Sequence, residues 1–193
     1  MAKASGGTRN YSNSSKTLKN RRDEYDALMA TGLYDERSKF HKSGGFVAVH
    51  KEHNLVSEKK KNENKEEFAV DVLIEKGYKV YLDSEKSTIK YEKKNDGRIY
   101  KQRFEFKTIN NDGDFRIKNR LEEASKQNVS TVVLIQNTKK MSRDYVEEQI
   151  DLFIDKSPIK AVEKIIHIIV VGMSGNVHRR DIRKDKERRL KKG

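Results

Sequence analysis

The strongest constraint on the fold lies between Asn62 and Leu82, where the chain reads NENKEEFAVDVLIEKGYKVYL. Phe68, Ala69, Val72 and Leu73 fall on one face of a helix, Gly77 stands where a helix ends, and a strand from Tyr78 to Leu82 follows at once. A helix that runs directly into a strand has its apolar stripe and the strand committed to adjoining layers, so this unit predicts a helix packed on a sheet. Beyond it, residues 87–91 read as a strand, Asn95-Asp96-Gly97 as a turn, and residues 98–100 and 103–109 as further strands of an antiparallel meander. Residues 115–128 are predicted to be a helix, TVVLIQ at 131–136 a buried strand, 143–154 a helix, and 164–171 and 176–179 strands joined by a glycine-containing turn. In order from residue 62 this is α-β-β-β-α-β-α-β-β, an α/β sandwich around a mixed sheet.

The rest of the chain has less to bury. Residues 1–20 are rich in Ser, Asn, Gly and Lys and are expected to be a disordered basic arm. Residues 21–61 form an N-terminal extension: a helix over 18–33 with Gly32 at its end, a short strand from Gly45 to His50, then an exposed lysine-rich stretch. The main domain is placed at 62–180, with a basic tail, or a fraying helix, at 181–193.

Charge narrows the partners. There are 43 Lys and Arg against 30 Asp and Glu, a net charge of +13 and an isoelectric point near 9.7. A field of that sign draws polyanions, nucleic acid first and anionic membrane surfaces second. The longest apolar run, Ile168 to Val171, is far short of the ~18 residues of a membrane span, and the N-terminus has no signal-peptide core, so the expectation is a cytoplasmic protein with no membrane partner. The absence of cysteine excludes a disulfide scaffold and a thiolate zinc site, so a catalytic metal would rest on oxygen or histidine; oxygen favours Mg²⁺ or Mn²⁺.

The segment DGRIYKQRFEFK, residues 96–107, is where chemistry becomes specific. Glu105 and Lys107 are two apart on a strand and share a face, while Phe104, Phe106 and Thr108 share the other. A charged pair on a core strand is unfavourable unless that face lines a site. A hairpin through Lys101 and Gln102 would bring Asp96 beside Glu105, and adjacent carboxylates repel unless a divalent cation neutralises them. Such an ion would be held by Asp96, Glu105 and the backbone carbonyl of Phe106, with Lys107 stabilising charge on the phosphorus and Glu66 or Glu67 as a further acid.

These residues resemble the PD-(D/E)xK nucleases, whose restriction-endonuclease-like αβββαβ core carries an acid on its first helix, Asp on the second strand and Glu-x-Lys on the third. The matching residues are Glu66, Asp96, Glu105 and Lys107. The run through EEFAVDVLIEKGYKV, DGRIYKQRFEFKTI, IKNRLEEASKQ, STVVLIQ and KIIHIIVVGMSGNV is similar to the tRNase toxin domains of CdiA-type contact-dependent inhibition proteins and related mobile-element proteins. The resemblance implies a metal-dependent endonuclease acting on RNA, especially tRNA, ahead of DNA. It also implies Lys, Asn or Gln near the phosphate on the IKNRLEEASKQ helix, and an acidic immunity protein as partner. One departure is Asn95, which stands where the family has proline before its Asp and keeps Asp83 in view as an alternative ligand. Two other functions stay open: a metal-independent ribonuclease using His50 or His53 as acid and base, and a nucleic-acid-binding protein without catalysis whose lysine runs, at 59–61 and 184–192, hold the polymer. His167, among apolar neighbours, reads as a core residue, and His178 as a phosphate contact.

Overall fold

The computed structural model describes residues 15–53, 65–86, 95–139 and 141–190. The strand expected at 87–91, the first residues of the helix expected from Asn62, and Lys59 to Lys61 lie outside the described residues. The sheet has eight strands in sequential order: β1 (Lys39–Phe40), β2 (Phe46–Val49), β3 (Lys79–Leu82), β4 (Gly97–Ile99), β5 (Gln102–Ile109), β6 (Thr131–Gln136), β7 (His167–Val171) and β8 (Val177–Asp181). The β3-β4-β5 meander is antiparallel, while β2–β3, β5–β6 and β6–β7 are parallel pairs. Parallel neighbours need crossover connections. These are α2 (Lys65–Glu75) between β2 and β3, α3 (Arg116–Ser125) between β5 and β6, and α4 (Arg143–Lys156) with α5 (Ile159–Lys164) between β6 and β7. The run from α2 to β6 is the expected αβββαβ core in a mixed sheet.

Helix α2 covers one face of the sheet, where Ala69, Leu73 and Ile74 meet Val80, Leu82, Phe104, Phe106, Val133 and Ile135. On the opposite face, α3, α4 and α5 bury Leu121, Ile150, Phe153 and Val162 against Val132, Leu134, Ile168 and Val170. That opposite face has a second cover at its other end, where Tyr25 and Leu28 of α1 (Ser15–Ala30) pack with Phe46, Ala48 and Tyr81. Between the two covers the strands carry Arg98, Arg103, Glu105 and Lys107 in place of apolar side chains. The strand period of two makes this charged stripe and the Phe104/Phe106 core the two sides of one segment.

The connection out of α2 shows how local sequence sets the layers. Gly77 is left-handed (φ 82°), its N–H donates to the Ile74 carbonyl (3.0 Å), and the Tyr78 N–H reaches back to Leu73 (3.0 Å). This is a Schellman closure, and it needs glycine because a Cβ penalises that φ. Arg21 of α1 donates to the Gly77 carbonyl (2.8 Å), so the first helix is tied to the same corner.

Several boundaries differ from the sequence reading. Residues 15–20, expected in a disordered arm, open α1, and the extension at 21–61 supplies β1 and β2 to the common sheet. The expected tail from 181 is part of the fold: Asp181 ends β8, Ile182 is fully buried, and α6 (Arg183–Leu190) follows. Arg180 ties this end to α4 and α6 through Glu147 (2.9 Å) and Asp185 (3.2 Å). The strand expected from 164 begins at His167, because α5 occupies Lys164; an apolar run such as IIHIIVV does not mark where helix gives way to strand. β1 is too short to show any periodicity.

Gly45 enters β2 directly against the last turn of α2: an added Cβ would lie 2.1 Å from the Ile74 carbonyl oxygen, a backbone atom that cannot swing aside. Gly45→Ala is therefore expected to destabilise the protein by about 1–3 kcal/mol, the range for overpacking. In urea denaturation the midpoint falls while the slope is unchanged.

Candidate active site

The site begins with an irregularity at the start of β4. Gly97 is the ladder partner of Phe104, and the N–H of Asp96 also donates to the Phe104 carbonyl (3.2 Å). Two residues thus oppose one, the arrangement of a β-bulge, which bends the strand and re-aims a side chain. The turn expected from Asn95-Asp96-Gly97 is this bulge. It directs the Asp96 carboxylate into the plane of the sheet, where Oδ2 accepts the Phe106 N–H at 2.6 Å. The N–H and C=O of one strand residue point to the same edge, so the Phe106 carbonyl also faces the Asp96 side, past the first residue of β4.

Glu105 and Lys107 share the face opposite Phe104 and Phe106, as their spacing predicts. They are not a solvated ion pair: Glu105 is 7% exposed, and its Oε1 accepts Lys107 Nζ at 2.9 Å. The same Oε1 accepts Gln127 Nε2 at 3.0 Å, from just beyond α3. Glu105 Oε2 is enclosed and has no hydrogen-bond partner among the described residues. A buried carboxylate oxygen left without a donor is unfavourable and points to a missing cationic or proton-bearing partner.

The electrostatics join four side chains in one neighbourhood. Burial, then the negative charge of Glu105 and Glu66, push the Asp96 carboxyl up to about 7, against the opposing pull of the Phe106 N–H and Lys107. Glu66, on the first turn of α2, is also raised, by burial first and then by Glu85 and Glu105, with Lys107 lowering it. The influence of Glu105 on Glu66 joins the helix layer to the sheet. Glu67 is turned elsewhere and lines a separate cavity with Arg37, Lys39, Val47, Val49, Val70 and Asp71.

Other candidates are held in different roles. The Asp83 carboxylate is gripped by Arg98 through Nε (3.1 Å) and Nη2 (2.8 Å). His53 is buried, its Nδ1 meets the Asp83 carbonyl at 2.7 Å, and burial lowers its pKa, so it is a neutral structural residue. His50 Nδ1 accepts the Glu52 N–H (3.1 Å) and its ring packs edge-on to Tyr34. His167 is buried, its Nδ1 has no hydrogen-bond partner among the described residues, and its pKa is lowered to about 4 chiefly by burial. His178 Nε2 lies 2.7 Å from Glu147 and not at the carboxylate site.

The donor set suits a hard divalent cation. Two carboxylates and a backbone carbonyl are all oxygen, and Mg²⁺ commonly takes one or two carboxylates and keeps several waters. Among the described residues no three His, Asp or Glu side chains group closely enough to hold a metal ion by themselves, so Glu66 does not join Asp96 and Glu105 as a third carboxylate ligand. Gln127 is the site residue that spacing alone does not reveal; the polar run on the IKNRLEEASKQ helix is the signal that points to it.

Because the folded chain keeps the Asp96 proton to about pH 7 while an unfolded aspartate releases it near 3.8, the native state binds more protons across that interval. The contribution of Asp96 to metal-free stability is therefore full below about pH 4 and is lost as pH rises to about 7. Asp96→Asn, whose amide oxygen can still accept the Phe106 N–H, is expected to flatten this slope and stabilise the metal-free protein at pH 8 by up to about 4 kcal/mol. Denaturation of both proteins in EDTA across that pH range checks it; parallel curves contradict the assignment.

No known protein family and no curated protein matches this chain. Among solved structures, it is similar to a CdiA-CT/CdiI toxin and immunity complex from Burkholderia pseudomallei, with 21% sequence identity and a TM-score of 0.47 over 66% of this chain and 91% of the other.

Proposed function

We propose that the protein is a metal-dependent endonuclease of PD-(D/E)xK type, hydrolysing phosphodiester bonds of nucleic acid, with RNA, and tRNA in particular, ahead of DNA. The observation that carries this reading is the enclosed, unpartnered Oε2 of Glu105 in the electrostatic reach of an Asp96 pushed up to about 7. Crowded carboxylates of this kind are relieved by a cation, and Mg²⁺ or Mn²⁺ would be held by Asp96, Glu105 and the Phe106 carbonyl oxygen. When bound, such an ion polarises the phosphate and makes its water more acidic.

The chain's own residues do the rest. Gln127 and Lys107 both bond Oε1 of Glu105, which fixes the carboxylate and leaves Oε2 for the site. Lys107 also holds a positive charge beside the carboxylates, where negative charge builds on the phosphoryl oxygens in the transition state. Glu66 keeps its proton longer than an exposed glutamate and is suited to deliver it to the leaving oxygen. The +13 charge draws the polymer, and the sequence resemblance extends the proposal to a toxin of a mobile element restrained by an acidic immunity protein.

The histidine ribonuclease is the weaker reading, since His53 is buried against the Asp83 carbonyl and His50 is engaged by its own loop. Asp83 is likewise a weaker ligand than Asp96, because Arg98 occupies both of its oxygens.

Purified protein incubated with total tRNA and with plasmid DNA, each in Mg²⁺ and in EDTA, tests the proposal. Cleavage is expected only with Mg²⁺, and Glu105→Ala and Lys107→Ala should each lower it at least ~100-fold, as for loss of a transition-state charge partner. EDTA-resistant RNA cleavage lost on His50→Ala would support the ribonuclease instead. Salt-sensitive binding without cleavage would support the binding protein.

A further inference from the structure

On the charged stripe, Arg98 and Arg103 are direct cross-strand partners in the β4–β5 ladder. Side chains so placed have Cβ atoms about 5 Å apart, and like charges directly opposite destabilise a sheet. Arg98 is partly compensated: Asp83 takes its Nε and Nη2, and its guanidinium lies 5.1 Å from the centroid of the Tyr81 ring. The bidentate contact leaves the Nη1 edge of Arg98, whose side chain is 41% exposed. Arg103 is exposed and has no ion pair with a carboxylate among the described residues. A sheet that sets Arg103, without a carboxylate partner, directly opposite an Arg98 already paired with Asp83 leaves one positive charge to be met, and an anion between the two guanidinium groups meets it.

The position of the pair says which anion. Arg103 and Glu105 are two residues apart on β5 and share a face, so the arginine pair lies about 7 Å along the strand from the carboxylate site. That is the scale of one nucleotide step along a sugar-phosphate backbone. The guanidinium fork matches two phosphate oxygens in one plane.

We infer that Arg98 and Arg103 form a phosphate subsite beside the carboxylate site, which takes the backbone phosphate one nucleotide away from the phosphate being cleaved. This rests on the nuclease reading for the identity of the neighbouring site. It makes the protein select a polymer over a mononucleotide through geometry at the sheet surface, and Asp83 and Tyr81 act as positioning residues for Arg98.

Titration calorimetry with adenosine 3′,5′-bisphosphate tests the subsite, since this ligand carries two phosphates one nucleotide apart and no internal diester to cleave. Adenosine 5′-monophosphate is the comparison, each in Mg²⁺ and in EDTA. In Mg²⁺ the wild-type protein is expected to bind the bisphosphate about 10-fold more tightly than the monophosphate, the size of one charge-assisted contact. Arg103→Ala should cut that advantage below about 2-fold, and Arg103→Lys should restore part of it. An advantage that survives Arg103→Ala, or no advantage in the wild type, overturns the subsite. In phosphate-free buffer Arg103→Ala should also raise the denaturation midpoint by relieving the like-charge pair, whereas a lowered midpoint would mark Arg103 as structural and overturn it too. The two proposals fail separately. An Arg103-dependent advantage that is undiminished in EDTA and in Glu105→Ala upholds the subsite and removes the metal site, while Mg²⁺-dependent cleavage without that advantage does the reverse.

Discussion

The position of β5 governs the rest of the molecule. It lies inside an eight-stranded sheet, between β4 and β6, with α2 over one face and α3 near the other, so it has little solvent into which a charge can be turned. Phe104 and Phe106 meet that condition on the α2 side. Glu105 and Lys107 do not, and their compensation shapes what surrounds them. Lys107 and Gln127 converge on a single oxygen of Glu105, the bulge at Asp96 brings in a second carboxylate, and α1 and the α3–α5 group cover the sheet on either side of the stripe without closing over all of it. Breaking a buried ionic arrangement by removing one member is far more destabilising than never having built it. A hydrophobic strand would serve the fold at least as well, so the stability of the fold does not account for the cluster.

The polar ends of α2 bind the two halves of this design together. At its C-terminus the Gly77 closure, the Gly45 approach and Arg21 fix the helix to β2, β3 and α1 with backbone contacts that leave no slack. Its N-terminus can then carry Glu66 to a defined place over the end of the meander. A helix whose far end is locked projects its first turn with the precision of a rigid element, which is what a site assembled from separate layers requires.

Much of this was legible in the chain. The helix-to-strand junction at Gly77 declares itself through residue type and apolar spacing, and the i, i+2 placement of Glu105 and Lys107 follows from strand geometry alone. Asp96 was visible as a candidate, although its bulge was not, because Asn-Asp-Gly reads the same in a hairpin and at a strand's irregular start. The docking of α1, β1 and β2 was hidden for a different reason. β2 is wholly apolar and its strand was legible, but its place in the sheet is set by pairing with β3, a contact between segments far apart in sequence. α1 and β1 carry little apolar signal of their own. The buried end at Ile182 and Arg180 was masked by the basic residues around it, whose composition resembles a solvated tail. The Arg98–Arg103 pairing depends on register across β4 and β5, and composition carries no trace of it.

The balance of charges also bears on how a ligand would be admitted. The chain as a whole is strongly positive, yet the carboxylate site is locally acidic, with the charge of Glu105 helping to raise the proton affinity of Asp96 and Glu66. At physiological ionic strength the long-range attraction of exposed charges is screened beyond about 8 Å, whereas enclosed charges are screened much less. On the proposed reading, a polyanion would be drawn to the surface by the net charge and held by the arginines at the edge of the stripe, while the carboxylates at its centre would repel it. Neutralising those carboxylates, by protons or by a cation, removes that repulsion. On that reading, occupancy of the centre and approach of the polymer would be thermodynamically linked, each strengthening the other by the same factor. A purely basic surface would bind a polymer more tightly at rest; on the proposed reading, the acidic centre would make binding conditional on what fills it.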